Sequence, residues 1–97
     1  MWILETAADS EAGALIFRIP SGAIKTVGRA SRADFILDVP LVSRLHCRLT
    51  ADAAGLEILD LDSTNGTFVN DGRIKQVMLA PGDRITIGRV SLIVSRE

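Results

Sequence analysis

Turn-forming residues break this chain roughly every 8–12 residues, and the segments between them are short and β-rich, which leaves little room for long helices. The breaks are Pro20-Ser21-Gly22, Asn65-Gly66, Asn70-Asp71-Gly72, Pro81-Gly82-Asp83 and Gly88. Strands are predicted over residues 2–5, 14–19, 24–27, 56–61, 67–69, 77–79, 84–87 and 90–94, with 7–13 a small, polar connection. Alternation is clean in Arg84-Ile85-Thr86-Ile87, where the two isoleucines face one way and Arg84 and Thr86 the other. This pattern describes an all-β sandwich or barrel. No repeat, linker or low-complexity tract interrupts it, so one domain is expected to fill residues 1–97.

Composition narrows the class further. With 47% hydrophobic and 24% charged residues, the chain has apolar material for a core and is not disordered as a whole. No apolar run approaches the ~18 residues of a membrane helix. The start, Met1-Trp2-Ile3-Leu4, meets Glu5 at once and lacks the basic region of a secretory signal. Eleven Lys and Arg against twelve Asp and Glu leave a net charge of −1, whereas a nucleic-acid binder usually carries a basic excess. One cysteine, Cys47, allows no internal disulfide and suits a reducing compartment. With a single histidine beside it, no structural zinc site can be assembled, and no metal or cofactor is expected. These features predict a cytoplasmic protein, or a nuclear one in a eukaryote.

One segment reads differently. Leu41, Leu45 and Leu49, flanked by Val42 and Ala53, recur at helical spacing, with Pro40 where a helix would begin and Gly55 where it would end. The local pattern alone predicts a helix over 41–54.

Three clusters stand out from this background: Gly28-Arg29, Ser43-Arg44-Leu45-His46 and Asn65-Gly66-Thr67-Phe68-Val69-Asn70. Ala33-Asp34-Phe35-Ile36 follows the first, Asp60-Leu61-Asp62-Ser63-Thr64 runs into the third, and residues 79–85 precede Ile87-Gly88. In this order and spacing they resemble the signature of the forkhead-associated (FHA) domain, a phosphothreonine-peptide binding module, over residues 15–94. The resemblance implies a sandwich of two twisted, mostly antiparallel sheets with about eleven short strands and a binding surface made of loops at one end. It also implies that residues 43–46 form a loop and 47–51 a strand, against the helix reading. Arg29, Ser43, Arg44 and Thr64 would hold the phosphate and Asn65 the peptide main chain. Arg32 is a candidate for a further peptide contact. Gly28, His46, Gly66, Thr67 and Asn70 would brace the loops. Family members often carry a basic or polar residue two before the serine, where this chain has Leu41.

The chemistry of these residue types suits that role. Phosphothreonine carries about −1.5 to −2 charges and three strong acceptor oxygens, and arginine offers a planar fork of donors matched to phosphate. Ser43 and Thr64 add short hydroxyl donors, and an asparagine can both donate to and accept from an extended backbone. Taken singly, each residue has a plainer reading. Arg29 is a solvated arginine, Ser43 a turn residue or helix cap, and Arg44 a partner for Asp38 or Asp62. Thr64 could brace its loop, and Asn65 could serve only the turn with Gly66. Cys47 reads as a small buried hydrophobe. A hydrolase built on Ser43 and His46 lacks a placed acidic partner and any Gly-x-Ser-x-Gly motif, so no catalysis is expected. The expected partner is a phosphothreonine-containing kinase substrate, bound by a monomer, with no nucleic acid and no membrane. The alternative is a module that docks on an unphosphorylated partner or on itself.

Overall fold

The computed structural model describes residues 1–7 and 10–97. Eleven strands form, namely β1 (Trp2–Thr6), β2 (Ile16–Ile19), β3 (Ile24–Gly28), β4 (Phe35–Ile36), β5 (Cys47–Asp52) and β6 (Gly55–Asp60), then β7 (Thr67–Val69), β8 (Gly72–Ile74), β9 (Gln76–Leu79), β10 (Arg84–Ile87) and β11 (Val90–Arg96). They assemble as a six-stranded sheet in the order β2-β1-β11-β10-β7-β8 and a five-stranded sheet in the order β4-β3-β5-β6-β9. The register is antiparallel except where the two-residue β4 runs parallel to β3. Of the connection expected over 7–13, Ala8 and Asp9 lie outside the described residues. Among the described residues, no helix is long and apolar enough to cross a membrane.

The core lies between the sheets because each strand presents alternate apolar residues inward. Leu4, Ile19, Leu49, Ile58, Ile85, Ile87 and Leu92 are all but fully buried. The helix predicted over 41–54 from leucine spacing does not form. Cys47, Leu49 and Ala51 are buried while Arg48 and Asp52 are exposed, a period of two that serves the partners β3 and β6 on either side. Leu41 leaves the supposed stripe altogether, at φ +73° and 48% exposed. Two further strands escaped the pattern. β4 is too short to show alternation, and β8 follows a two-residue hairpin in which Asn70 and Asp71 both take positive φ, at 50° and 69°.

Candidate functional site

Three connections meet at one end of the sandwich: β3–β4, β4–β5 and β6–β7. The longest, β4–β5, is pinned to the core by Leu37 and Val42, both buried. Gly88, after β10, lets it pack there, since a Cβ at that position would lie 3.2 Å from the Pro40 carbonyl oxygen. Gly28 does the same for β3. An ideal Cβ on Gly28 would fall 2.0 Å from the carbonyl oxygen of Arg44, so the two backbones touch only because no side chain intervenes. That approach allows Arg29 N–H to donate to Ser43 C=O (2.9 Å) and Ala30 N–H to Arg44 C=O (3.0 Å).

His46 links the second connection to the third. The Ser43 amide donates to Nδ1 at 3.1 Å, so the ring proton sits on Nε2, which donates to Gly66 C=O at 2.8 Å. The ring is fully buried, and burial, opposed by the Gly66 bond and by Asp60, holds its pKa below the usual value. Gly66, at φ +90°, shapes the turn. The third connection is closed by Asp60. Its carboxylate accepts from Ser63 Oγ, the Ser63 amide and Thr67 Oγ1, and Ser63 Oγ accepts from Gly66 N–H. Burial raises the Asp60 pKa, but these bonds and His46 outweigh it and leave it below the ordinary carboxylate value.

On this frame sits a shallow hollow lined by Arg29, Ser43, Thr64 and Asn65, with Pro40, Leu41 and Val42 as its apolar wall. Among the described residues no carboxylate lines it. Arg29 donates from Nε to Val42 C=O (3.1 Å), which orients the guanidinium and leaves both terminal nitrogens free. Ser43 Oγ accepts from Thr64 N–H (3.0 Å), so its own proton remains available. Asn65 Nδ2 donates to Leu41 C=O (3.2 Å), and its side-chain oxygen stays open.

The structure thus brings together Arg29, Ser43, Thr64 and Asn65, with Gly28, His46, Gly66 and Thr67 beneath them. Arg44 is exposed beside the hollow but does not line it. Its rival pairings with Asp38 and Asp62 do not occur among the described residues, and Asp62 lies 3.5 Å from Lys75. Arg32 is exposed in the β3–β4 connection, apart from the lining. Asn70 lies at the opposite end of β7, where it bonds Asp83 and the Arg84 amide and braces the turn before β10 instead of the hollow. Ser63 and Asp60 are further braces that the sequence motifs do not mark. Their three-residue separation, typical of an aspartate that caps a local turn, was the available signal.

The FHA domain family profile matches residues 25–88. Among proteins of known sequence, the ABC transporter ATP-binding/permease protein Rv1747 of Mycobacterium tuberculosis is 41% identical over 81 residues, which is 84% of this chain and 9% of that protein. Among solved structures, a chain from a structural and functional study of phosphothreonine-dependent FHA domain interactions superposes with a TM-score of 0.87 at 32% identity, covering 99% of this chain and 96% of the other. The FhaA FHA domain, solved in complex with the intracellular domain of Rv3910, gives a TM-score of 0.87 at 30% identity, with 98% and 100% covered. This chain belongs to the FHA domain family.

Proposed function

We propose that residues 1–97 form one FHA domain that binds a phosphothreonine in an extended segment of a partner protein. The observation that carries this reading is the hollow itself. An oriented guanidinium, a serine with a free hydroxyl proton and a second hydroxyl converge there from three connections, with no carboxylate among them. Such a surface suits a dianion with three acceptor oxygens. Arg29, Ser43 and Thr64 take the phosphate, Arg44 reaches it from the rim, and Asn65 takes the peptide main chain. Arg32 remains available to a flanking peptide residue. The solved relatives agree with this reading, one from phosphothreonine-dependent interactions and one bound to a partner's intracellular domain.

The protein acts by binding and not by catalysis. Both His46 nitrogens are engaged by the backbone, so neither can serve as a base for the Ser43 hydroxyl. The sealed free thiol of Cys47, its pKa pushed well up by burial, suits a reducing, cytoplasmic compartment, where the domain would act as a monomer. A phosphothreonine peptide library and its unphosphorylated twin test the reading with the wild-type protein and Arg29→Ala. Charge-assisted bonds are worth about 1.5–3 kcal/mol each, so Arg29→Ala should weaken phosphopeptide binding at least ~10-fold while folding stays unchanged. Equal binding of the two libraries would favour phospho-independent docking and overturn the proposal.

A further inference from the structure

A cation beside the hollow is used by none of the contacts above. Arg73 on β8 lies directly opposite Phe68 on β7, and the two side chains converge over Gly66. An ideal Cβ at Gly66 would lie 2.8 Å from Arg73 Nε, 3.0 Å from its Cζ and 3.3 Å from Phe68 Cε1. The guanidinium is thus held against the backbone next to Asn65, the residue assigned to the peptide main chain. Arg73 is exposed, and among the described residues the ion pairs are Lys75 with Asp62 and Arg89 with Glu11, so its charge is unpaired. Asp62, the carboxylate of the adjoining connection, is already taken by Lys75 at 3.5 Å. Arg29, Arg32, Arg44 and Arg73 therefore give this end four arginines without an ion pair among the described residues, on a chain whose net charge is −1.

We infer that Arg73 is a second anion-binding position, which selects peptides carrying an acidic side chain or a second phosphate close to the phosphothreonine. The inference rests on the phosphothreonine reading of the hollow. Spacing follows from the chain itself. Thr64 lines the hollow and Gly66 lies two residues on, at most about 7 Å away. An extended peptide rises about 3.3 Å per residue, so the second anion falls within about three residues of the first. Opposite charge at that distance adds specificity more than raw affinity.

The test is a set of phosphothreonine peptides in a neutral background, in which one glutamate, or one further phosphothreonine, is walked from four residues before to four residues after the central phosphothreonine. Binding is read by fluorescence anisotropy for the wild-type protein, R73Q, R73K and R18Q, each checked by its thermal melt. The wild-type protein should bind tighter by about 3–5-fold for glutamate at the favoured position, and by about 10-fold or more for phosphate. R73Q should lose this preference and R73K retain part of it. R18Q, which removes an exposed charge of the same sign on β2, should keep it. A preference that survives in R73Q, disappears equally in R18Q or is absent from the wild-type protein overturns the inference while leaving the phosphothreonine reading intact. Loss of phosphate dependence in the wild-type protein overturns both.

Discussion

Replacing Gly28 by alanine should separate the connections that form the hollow. The new methyl would sit 2.0 Å from the Arg44 carbonyl oxygen, 2.7 Å from its carbonyl carbon and 3.0 Å from Leu45 Cα. All three are backbone atoms, so no side-chain rotation relieves the clash. Ordinary contact begins near 3.4 Å, and the 44–45 backbone must retreat by about 1.4 Å. That retreat stretches Arg29 N–H to Ser43 C=O (2.9 Å) and Ala30 N–H to Arg44 C=O (3.0 Å) past bonding distance. Each such bond is worth about 0.5–1.5 kcal/mol net, so the pair accounts for about 2 kcal/mol, and in a domain of this size the melting temperature should fall on the order of 10 °C. The retreat also moves Arg29 relative to Ser43, so phosphopeptide affinity should drop more than ~10-fold. Differential scanning calorimetry and isothermal titration measure the two effects on one sample. A Gly28→Ala protein that melts within about 2 °C of wild type and binds within two-fold would refute the argument that this close approach sets the hollow.

His46→Ala leaves the half-buried Ser43 N–H and the buried Gly66 C=O without partners, at about 1–3 kcal/mol for the buried group; thermal stability and phosphopeptide affinity should fall together, and a binding loss at unchanged melting temperature would show that His46 touches the ligand instead. Because burial lowers the His46 pKa from 6.5, the unfolded chain binds the proton better. Stability is therefore full above about pH 6.5 and is lost as pH falls below it, by up to about 1.4 kcal/mol per pH unit. Urea titrations at pH 7.5 and 5.5 should show that slope in the wild-type protein and not in His46→Gln; a flat wild-type profile would contradict it. Replacing phosphothreonine by phosphoserine in the best peptide should weaken binding by about 10-fold or more, beyond the ~0.8 kcal/mol of one buried methyl, because threonine is stiff at χ1 and loses less freedom when clamped. Equal affinities in two titrations at one salt concentration would mean that only phosphate charge is read.

Strands with two or more inward side chains, β5 excepted, are readable in the sequence because alternation leaves a pattern, as in Arg84-Ile85-Thr86-Ile87. β4, with two residues, and β8, with three, are too short to show a period. The leucines at 41, 45 and 49 mislead because each is placed by a different neighbour: Leu41 by the hollow, Leu45 by the touching loops and Leu49 by the sheet core. The resemblance located the hollow, since its residues cluster in motifs, but not how each is held. That Asn65 leans on the Leu41 carbonyl, or that Arg73 covers Gly66, depends on which strands pair, and no local spacing encodes it. Asn70 shows the converse. It stands three residues after Thr67 in one motif, yet β7 carries it to the far end of the sandwich.

The binding end owes its shape more to bonds among the loops than to the sheets. Arg29, Ser43 and Asn65 each spend one side-chain hydrogen-bonding function on a neighbouring loop and keep another free. Arg29 donates from Nε to Val42, Ser43 Oγ accepts from Thr64, and Asn65 Nδ2 donates to Leu41. The strained φ of Leu41, which costs about 1–3 kcal/mol, is held by its neighbours in this arrangement. Below them, His46 joins the β4–β5 loop to the β6–β7 loop with a single ring, and Asp60 closes the β6–β7 loop on itself. A ligand arriving here meets side chains already confined near one orientation, and so loses less affinity to ordering them than it would on free loops. That is why His46 and Gly28, neither of which lines the hollow, should matter to binding as much as the residues that do.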